Sequence, residues 1–221
     1  LTVEPGRIDQ LKSKFEDSEF SSRQVEIAAQ EDPYEAMFER SWTDGLPVVP
    51  PTTERVRKML EGTTRPADEI VVSVPPNLIE CTIEKIAINA VMAGCRPEFL
   101  PVVIAALETI CTDEFNMHGV LATTMSVGPI FVVNGPITLD IGMNSGINVL
   151  GHGNRANSTI GRAVQLVIHN VGGGGPGGVD RSTLGHMGKQ GFCFSENEFS
   201  SPWPSLAESR GYSSSQNVIT A

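Results

Sequence analysis

The sequence predicts a mixed α/β fold: a central sheet, buried helices and a glycine-rich loop that feeds a helix, with an N-terminal helical arm. Three observations carry this. Apolar spacing alternates along the chain between helical and strand periods. The 22 glycines and 15 prolines demand more tight turns than a mostly helical protein needs. Hydrophobic residues make up 40% of the 221, ample for the core of one domain.

Residues 1–32 are polar and charged, with scattered Leu11, Phe15, Phe20, Val25 and Ile27. They read as a helical arm, loosely attached to a single α/β domain over 33–221. Pro33 opens a short helix, PYEAMFERSW, with Tyr34, Met37, Phe38 and Trp42 on one side. Asp44-Gly45 is a turn signal, and Pro47, Pro50 and Pro51 hold the next stretch extended, as an edge or as a loop that walls a site. Thr52 or Thr53 caps a helix carrying Val56, Met59 and Leu60.

EIVVSV (69–74) is a strand closed by Pro75-Pro76. Thr82 starts a helix stopped by Gly94, and Pro97 opens another that runs to Cys111. Both helices are apolar on more than one face, and one sheet covers only one side of a helix layer. The uncovered faces predict a homo-oligomer, most simply a two-fold dimer. VLATTMSV (120–127), PIFVVNGPI (129–137) and QGFCFSEN (190–197) are strand-like runs bounded by glycine and proline.

Between them lies the stretch with the most chemistry, Asn144 to Gly175. A small-residue loop carries Asn144, Asn148, His152, Asn154, Arg155 and Asn157. It feeds a helix with apolar positions Ile160, Ala163, Val164, Val167, Ile168 and Val171, capped by Asn157 or Ser158 and ended by Gly172. Backbone N–H groups and the helix dipole favour an anion at such a helix start. Arg155 sits at its mouth and Arg162 about one turn further in. Lys189, which follows Gly188, and Asn197 are further candidates for contact with a carboxylate or phosphate.

Composition excludes several partners. Sixteen basic residues against 26 acidic give a net charge of −10 with no Lys/Arg cluster, which excludes nucleic acid and an anionic membrane surface. No apolar run approaches the roughly 18–20 residues of a transmembrane helix. Four cysteines, at 81, 95, 111 and 193, have no CxxC spacing and read as free thiols in a reducing cytoplasm. The His and Cys spacings fit no zinc signature, and the glycine run is neither a dinucleotide fingerprint nor a Walker loop. No metal is predicted and no cofactor is specified.

Three residues are the candidates for reaction chemistry. Cys95 stands at a helix end beside Arg96, where a guanidinium and the next helix's dipole favour the thiolate. His118, in a loop before Gly119, is the best placed histidine for general acid–base work. Glu196, at a strand end, is placed to orient His118 or to act as a base.

Several segments together resemble a bacterial family: DGLPVVPPT (44–52), EKIAINAVMAGCRPE (84–98), FNMHGVLATT (115–124), VNGPI (133–137), the NSG…GNRAN…IGRA run (144–163) and GFCFSENEFSSPW (191–203). Members are often paired with, or fused to, a protein bearing a UGSC or CGSC motif, where U is selenocysteine. The resemblance spans about residues 33–210, and the UGSC motif itself is absent. It implies redox or C–X bond chemistry in the neighbourhood and a UGSC-motif protein as partner. The expected function is therefore a small-molecule enzyme or enzyme subunit that binds an anionic substrate, with thiol-assisted redox or C–X bond-cleaving chemistry. The alternatives are a cofactor-independent lyase or hydrolase using His118 and Glu196, and a non-catalytic subunit of a UGSC-type protein.

Overall fold

The computed structural model describes residues 20–221. Among them the order of elements is α1 (Pro33–Glu39), α2 (Thr53–Leu60), β1 (Ile70–Val74), β2 (Ile79–Thr82), α3 (Ile83–Ala93), α4 (Leu100–Ile110), α5 (Met117–Ala122), β3 (Phe131–Asn134), α6 (Ile137–Asp140), α7 (Arg155–Asn170), β4 (Cys193–Ser195), α8 (Leu206–Ser209) and β5 (Val218–Thr220). Short 3₁₀ turns at Pro97–Phe99 and Met187–Gln190 precede α4 and β4. The fold is mixed α/β, as expected. Its centre, however, is a layer of three helices rather than a sheet.

Helix α7 packs against α3 and α4, and α2 covers the other side of α3. The facing side chains are fully buried: Ile83, Ile86 and Ala90 from α3, Leu100, Val103 and Leu107 from α4, Ile160, Val164 and Val167 from α7. Burying each of the larger side chains is worth about 1.5–3 kcal/mol, so this layer dominates stability. Gly161 permits the approach of α7 to the chain before β4. A Cβ there would sit 2.8 Å from the Phe192 amide nitrogen.

The strands form two small sheets at the edges. β1 and β2 are an antiparallel hairpin with Val74 opposite Ile79 and Ile70 opposite Thr82. β3 lies between a parallel β4 and an antiparallel β5, with Phe131 opposite Cys193 and Val132 opposite Thr220. β4 packs on α7 and β5 on α4.

Several local expectations hold. Thr52, Thr82 and Gly94 cap their helices, Gly94 in the left-handed conformation. Others are corrected. Residues 20–31 hold no helix; they run as a strap whose Val25 and Ile27, two apart, face inward, and Phe20 is buried. The helical arm expected over residues 1–19 lies outside the described residues. The run 120–127 is not a strand. Asn116 accepts the Gly119 N–H at 3.1 Å and starts α5, whose Met117 and Leu121, four apart, are buried. Here tertiary burial overrides the β propensity of Val120, Thr123 and Thr124. Strands β2 and β5 fall where no strand was expected. Helix α7 starts at Arg155 with Asn154 as N-cap, three residues before the expected start.

The two apolar helices do not leave open faces. α2, α7 and β5 cover them, and even Val102 and Ile104 are only 4% exposed. The physical premise for a dimer through these helices is thereby removed. Among the described residues no helix is long and apolar enough to cross a membrane.

Candidate functional site

The loop expected to receive an anion spends its polar groups on itself. Asn154 Oδ1 accepts the Asn157 N–H at 3.0 Å and its Nδ2 donates to Gly142 O. Asn157, buried, accepts the Asn144 N–H and donates to the carbonyls of Asn144 and Val149. Asn144 donates to Ile147 O, and Asn148 Nδ2 donates to the carbonyl of His152, whose side chain is exposed. This lattice of amides shapes the turn into α7, and the helix N-terminus is capped from within.

The two arginines of this stretch are also engaged. Arg155 Nε donates to Gly94 O at 2.9 Å and its Nη2 reaches Cys95 O at 3.5 Å. It thus caps the C-terminal end of α3, where a cation meets the negative end of the helix dipole. Arg162 forms a two-pronged pair with Asp44, at 2.7 and 2.8 Å, and donates to Pro47 O at 3.0 Å. Both partners are largely buried. Burial pushes the Asp44 carboxyl up, but the Arg162 hydrogen bond and charge outweigh it and hold it below its ordinary value. The pair straps the Asp44–Thr52 segment to α7, and the Val49 N–H, donating to Met92 O at 3.0 Å, ties it to α3.

That segment and α2 wall a cleft of about 810 Å³. Four cations line it, Arg55, Lys58, Arg96 and Arg155, with Glu61 and Glu98 as the only carboxylates. Arg55 is spent on Pro50 O at 2.9 Å and Arg155 on the end of α3. Lys58 and Arg96 are exposed and have no hydrogen bond or ion pair among the described residues. Gly62 fixes one wall, because a Cβ there would run into the Pro97 carbonyl. In a chain of charge −10, this is a local excess of positive charge.

Cys95 also lines the cleft, but not as a thiolate. Burial pushes its thiol up to about 12, outweighing the Thr159 side chain and the charges of Arg155 and Arg162, and the S–H donates to the Thr159 carbonyl at 3.4 Å. The expected lowering is reversed, because Cys95 is only 6% exposed and burial outweighs the nearby guanidinium charges. Cys193 and Cys81 are likewise raised to about 12, and Cys111 to about 11, by burial.

The remaining candidates sit apart from the cleft. His118 is exposed in the first turn of α5 rather than in a loop before a strand. Glu196 accepts Asn134 Nδ2 at 2.7 Å and the Leu206 N–H at 2.8 Å; it pairs with those groups and not with His118. Neighbouring Glu198 joins the same clasp by accepting from Asn134 and the Gly135 N–H, and Asn197 between them is exposed. Lys189 is paired with Asp180 at 3.0 Å and donates to Ser182 Oγ. Among the described residues no group of three or more His, Cys, Asp or Glu converges to hold a metal ion.

The structure therefore brings Cys95 and Arg155 together, gives Asn144, Asn154, Asn157, Arg162, Lys189 and Glu196 structural partners, and leaves His118, His152 and Asn197 exposed and apart. Sequence reasoning missed Arg55 and Lys58. Their i, i+3 spacing in TERVRKML was a usable signal, since it puts both on one helix face. Comparison with known proteins adds no assignment: no family model matches the chain, and no curated protein or solved structure matches it.

Proposed function

We propose that the chain binds a small phosphate- or carboxylate-bearing molecule in the cleft between α2 and the Gly94–Glu98 turn, as an enzyme or enzyme subunit. The observation that carries this is the pair of uncommitted cations, Lys58 on α2 and Arg96 on the turn, which line the cleft from its two sides together with Arg55 and Arg155. A guanidinium offers paired donors to a planar carboxylate or a phosphate, and an ammonium adds a point charge. The protonated Cys95 is a poor nucleophile. Redox or C–X bond chemistry of the kind the resemblance implies then draws its reactive sulfur or selenium from a UGSC-type partner, with this chain holding the substrate.

Calorimetric titration with inorganic phosphate and with citrate at low salt tests the reading. Binding is expected to weaken at least tenfold in Lys58→Ala/Arg96→Ala and to fall with ionic strength. Equal affinity in the wild type and the double variant would sink it.

A second reading, docking of another protein or a second copy, draws on a different surface. Thr183 N donates to Thr124 O and Ser182 Oγ to Met125 O, and these bonds bring two loops together. The loops carry Met125, Leu184 and Met187, which are 70%, 92% and 78% exposed. Light scattering separates a 23.7 kDa monomer from an assembly, and Leu184→Glu/Met187→Glu should dissociate an assembly built on this face.

A further inference from the structure

A second cavity, of about 410 Å³, lies on the other side of the Asp44–Thr52 segment and α2, and none of the chemistry above uses it. Its lining is mainly apolar, with Trp42, Pro50, Ile88 and Met92 below and Val25 and Ile27 of the strap above. The strap is held by a clasp. Glu84, 2% exposed, accepts the N–H groups of Ser21 and Ser22 at 3.0 and 2.8 Å and the Ser21 hydroxyl at 2.9 Å. These bonds consume the carboxylate, which anchors the strap and leaves little capacity for a ligand.

Among the described residues the wall keeps unpartnered polar groups: Ser22 Oγ, which is buried, and groups of Asn170 and Trp42. Asn170 Nδ2 donates to Trp42 O at 3.1 Å and to Asn89 Oδ1 at 2.8 Å. Two acceptors on one nitrogen settle which end of the amide is which, so Oδ1 is the free end. Asn89 cannot answer it, because its own Nδ2 donates to Lys85 O at 2.9 Å. The Trp42 indole N–H has no partner among the described residues, while Arg40 lies over the indole ring at 5.9 Å. Asn170 Oδ1 and the Trp42 indole N–H thus offer an acceptor and a donor, beside the unpartnered Ser22 hydroxyl, in a mainly apolar cavity of ligand size.

We propose that this cavity binds a small neutral molecule, with an aromatic or branched aliphatic body and one amide- or hydroxyl-type group that meets Asn170 Oδ1 and the Trp42 indole N–H. The lining holds one carboxylate, Glu84, and one exposed guanidinium, Arg23, and so carries no net charge, in contrast to the cleft, and its apolar remainder favours a neutral body. Filling the cavity removes apolar ligand surface from water, which offsets the cost of ordering the ligand.

The neutral fluorophore N-phenyl-1-naphthylamine, titrated onto the full chain, tests the proposal. Saturable binding is expected, with energy transfer from tryptophan that Trp42→Phe largely removes and Trp203→Phe largely retains. Ile88→Trp fills the space and should weaken binding at least tenfold at unchanged circular dichroism. If that variant does not fold, the smaller Ile88→Phe should show a weakening of at least threefold. Non-saturable uptake, transfer that follows Trp203, or full affinity in a folded Ile88 variant would overturn the proposal. So would tighter binding of the anionic anilinonaphthalene sulfonate than of the neutral probe.

Discussion

The cleft and the cavity share a wall, the Asp44–Thr52 segment with α2, yet the two faces of that wall have opposite chemistry. On the cleft side Arg55 and Lys58 point outward with the charged ends of α3 and the following turn. On the cavity side Val56 from the same helix meets Trp42, Ile88 and the strap. The difference follows from helix geometry: Arg55 and Lys58, three apart, share a face, while Val56 between them turns toward the core. Unpaired charge survives only where water reaches it. On the covered side the one carboxylate, Glu84, is retained because the strap supplies three donors, as a buried charge requires.

Breaking the shared wall should produce the largest effect. Arg162→Ala leaves Asp44 without its counter-ion in a largely buried position, which costs about 3 kcal/mol, the low end for breaking a buried pair. Thermal melts should show the loss, and both anion and neutral-probe binding should fall together, since the segment is released from α7. If only one site responds, the wall is not shared in the way the two cavities imply.

Gly62→Ala separates the sites. The added methyl must displace the Pro97 carbonyl, so destabilisation of about 1–3 kcal/mol is expected, as for overpacking. Phosphate or citrate binding at the cleft should weaken while the neutral probe on the other side is unaffected. Equal loss at both sites would show that the perturbation travels through α2.

Acid should loosen both anchors of the wall. The Asp44 carboxyl is held low by Arg162, and that of Glu84 by the Ser22 and Ser21 donors, in each case against burial that pushes it up. A carboxyl whose folded-state pKa is depressed adds stability above its unfolded value of about 4, and that stability disappears as pH falls through the folded-state value. The melting temperature should therefore drop on acidification below about pH 4. Asp44→Asn and Glu84→Gln, though less stable at neutral pH, should each show a shallower drop. An unchanged slope in both variants would remove the carboxylates from the account.

The smallest effect concerns the thiols. With every thiol pushed up by burial, alkylation of the native chain near pH 8 should be slow. Half-buried Cys111, raised only to about 11, should react before Cys95. Mass spectrometry after limited iodoacetamide treatment gives the order. Early modification of Cys95 would restore it as a reactive group of the cleft and shift the proposed chemistry back into this chain.

Local signals were legible without any structure. Thr52, Thr82 and Gly94 bound their helices through chemistry that acts within a few residues, and the apolar spacing of Ile160, Val164 and Val167 marks the buried face of α7 correctly. The mixed α/β class follows from those signals and from the glycine and proline content. What the residues Asn154, Asn157 and Arg162 do was not legible, because a side chain fitted for an anion is equally fitted for a carbonyl or a carboxylate of its own chain. Arg162 finds Asp44 118 positions away, and Arg155 finds the end of α3 at a separation of 61. Cys95 shows the same limit from the other side: Arg96 beside it in sequence points to a thiolate, whereas burial against α7 decides for the thiol. Sequence alone determined the caps at Thr52, Thr82 and Gly94, the buried face of α7 and the charge of this chain, since those are local or additive. Tertiary structure decided which polar groups are already satisfied and which, like Lys58, Arg96 and the free end of Asn170, are left for something else.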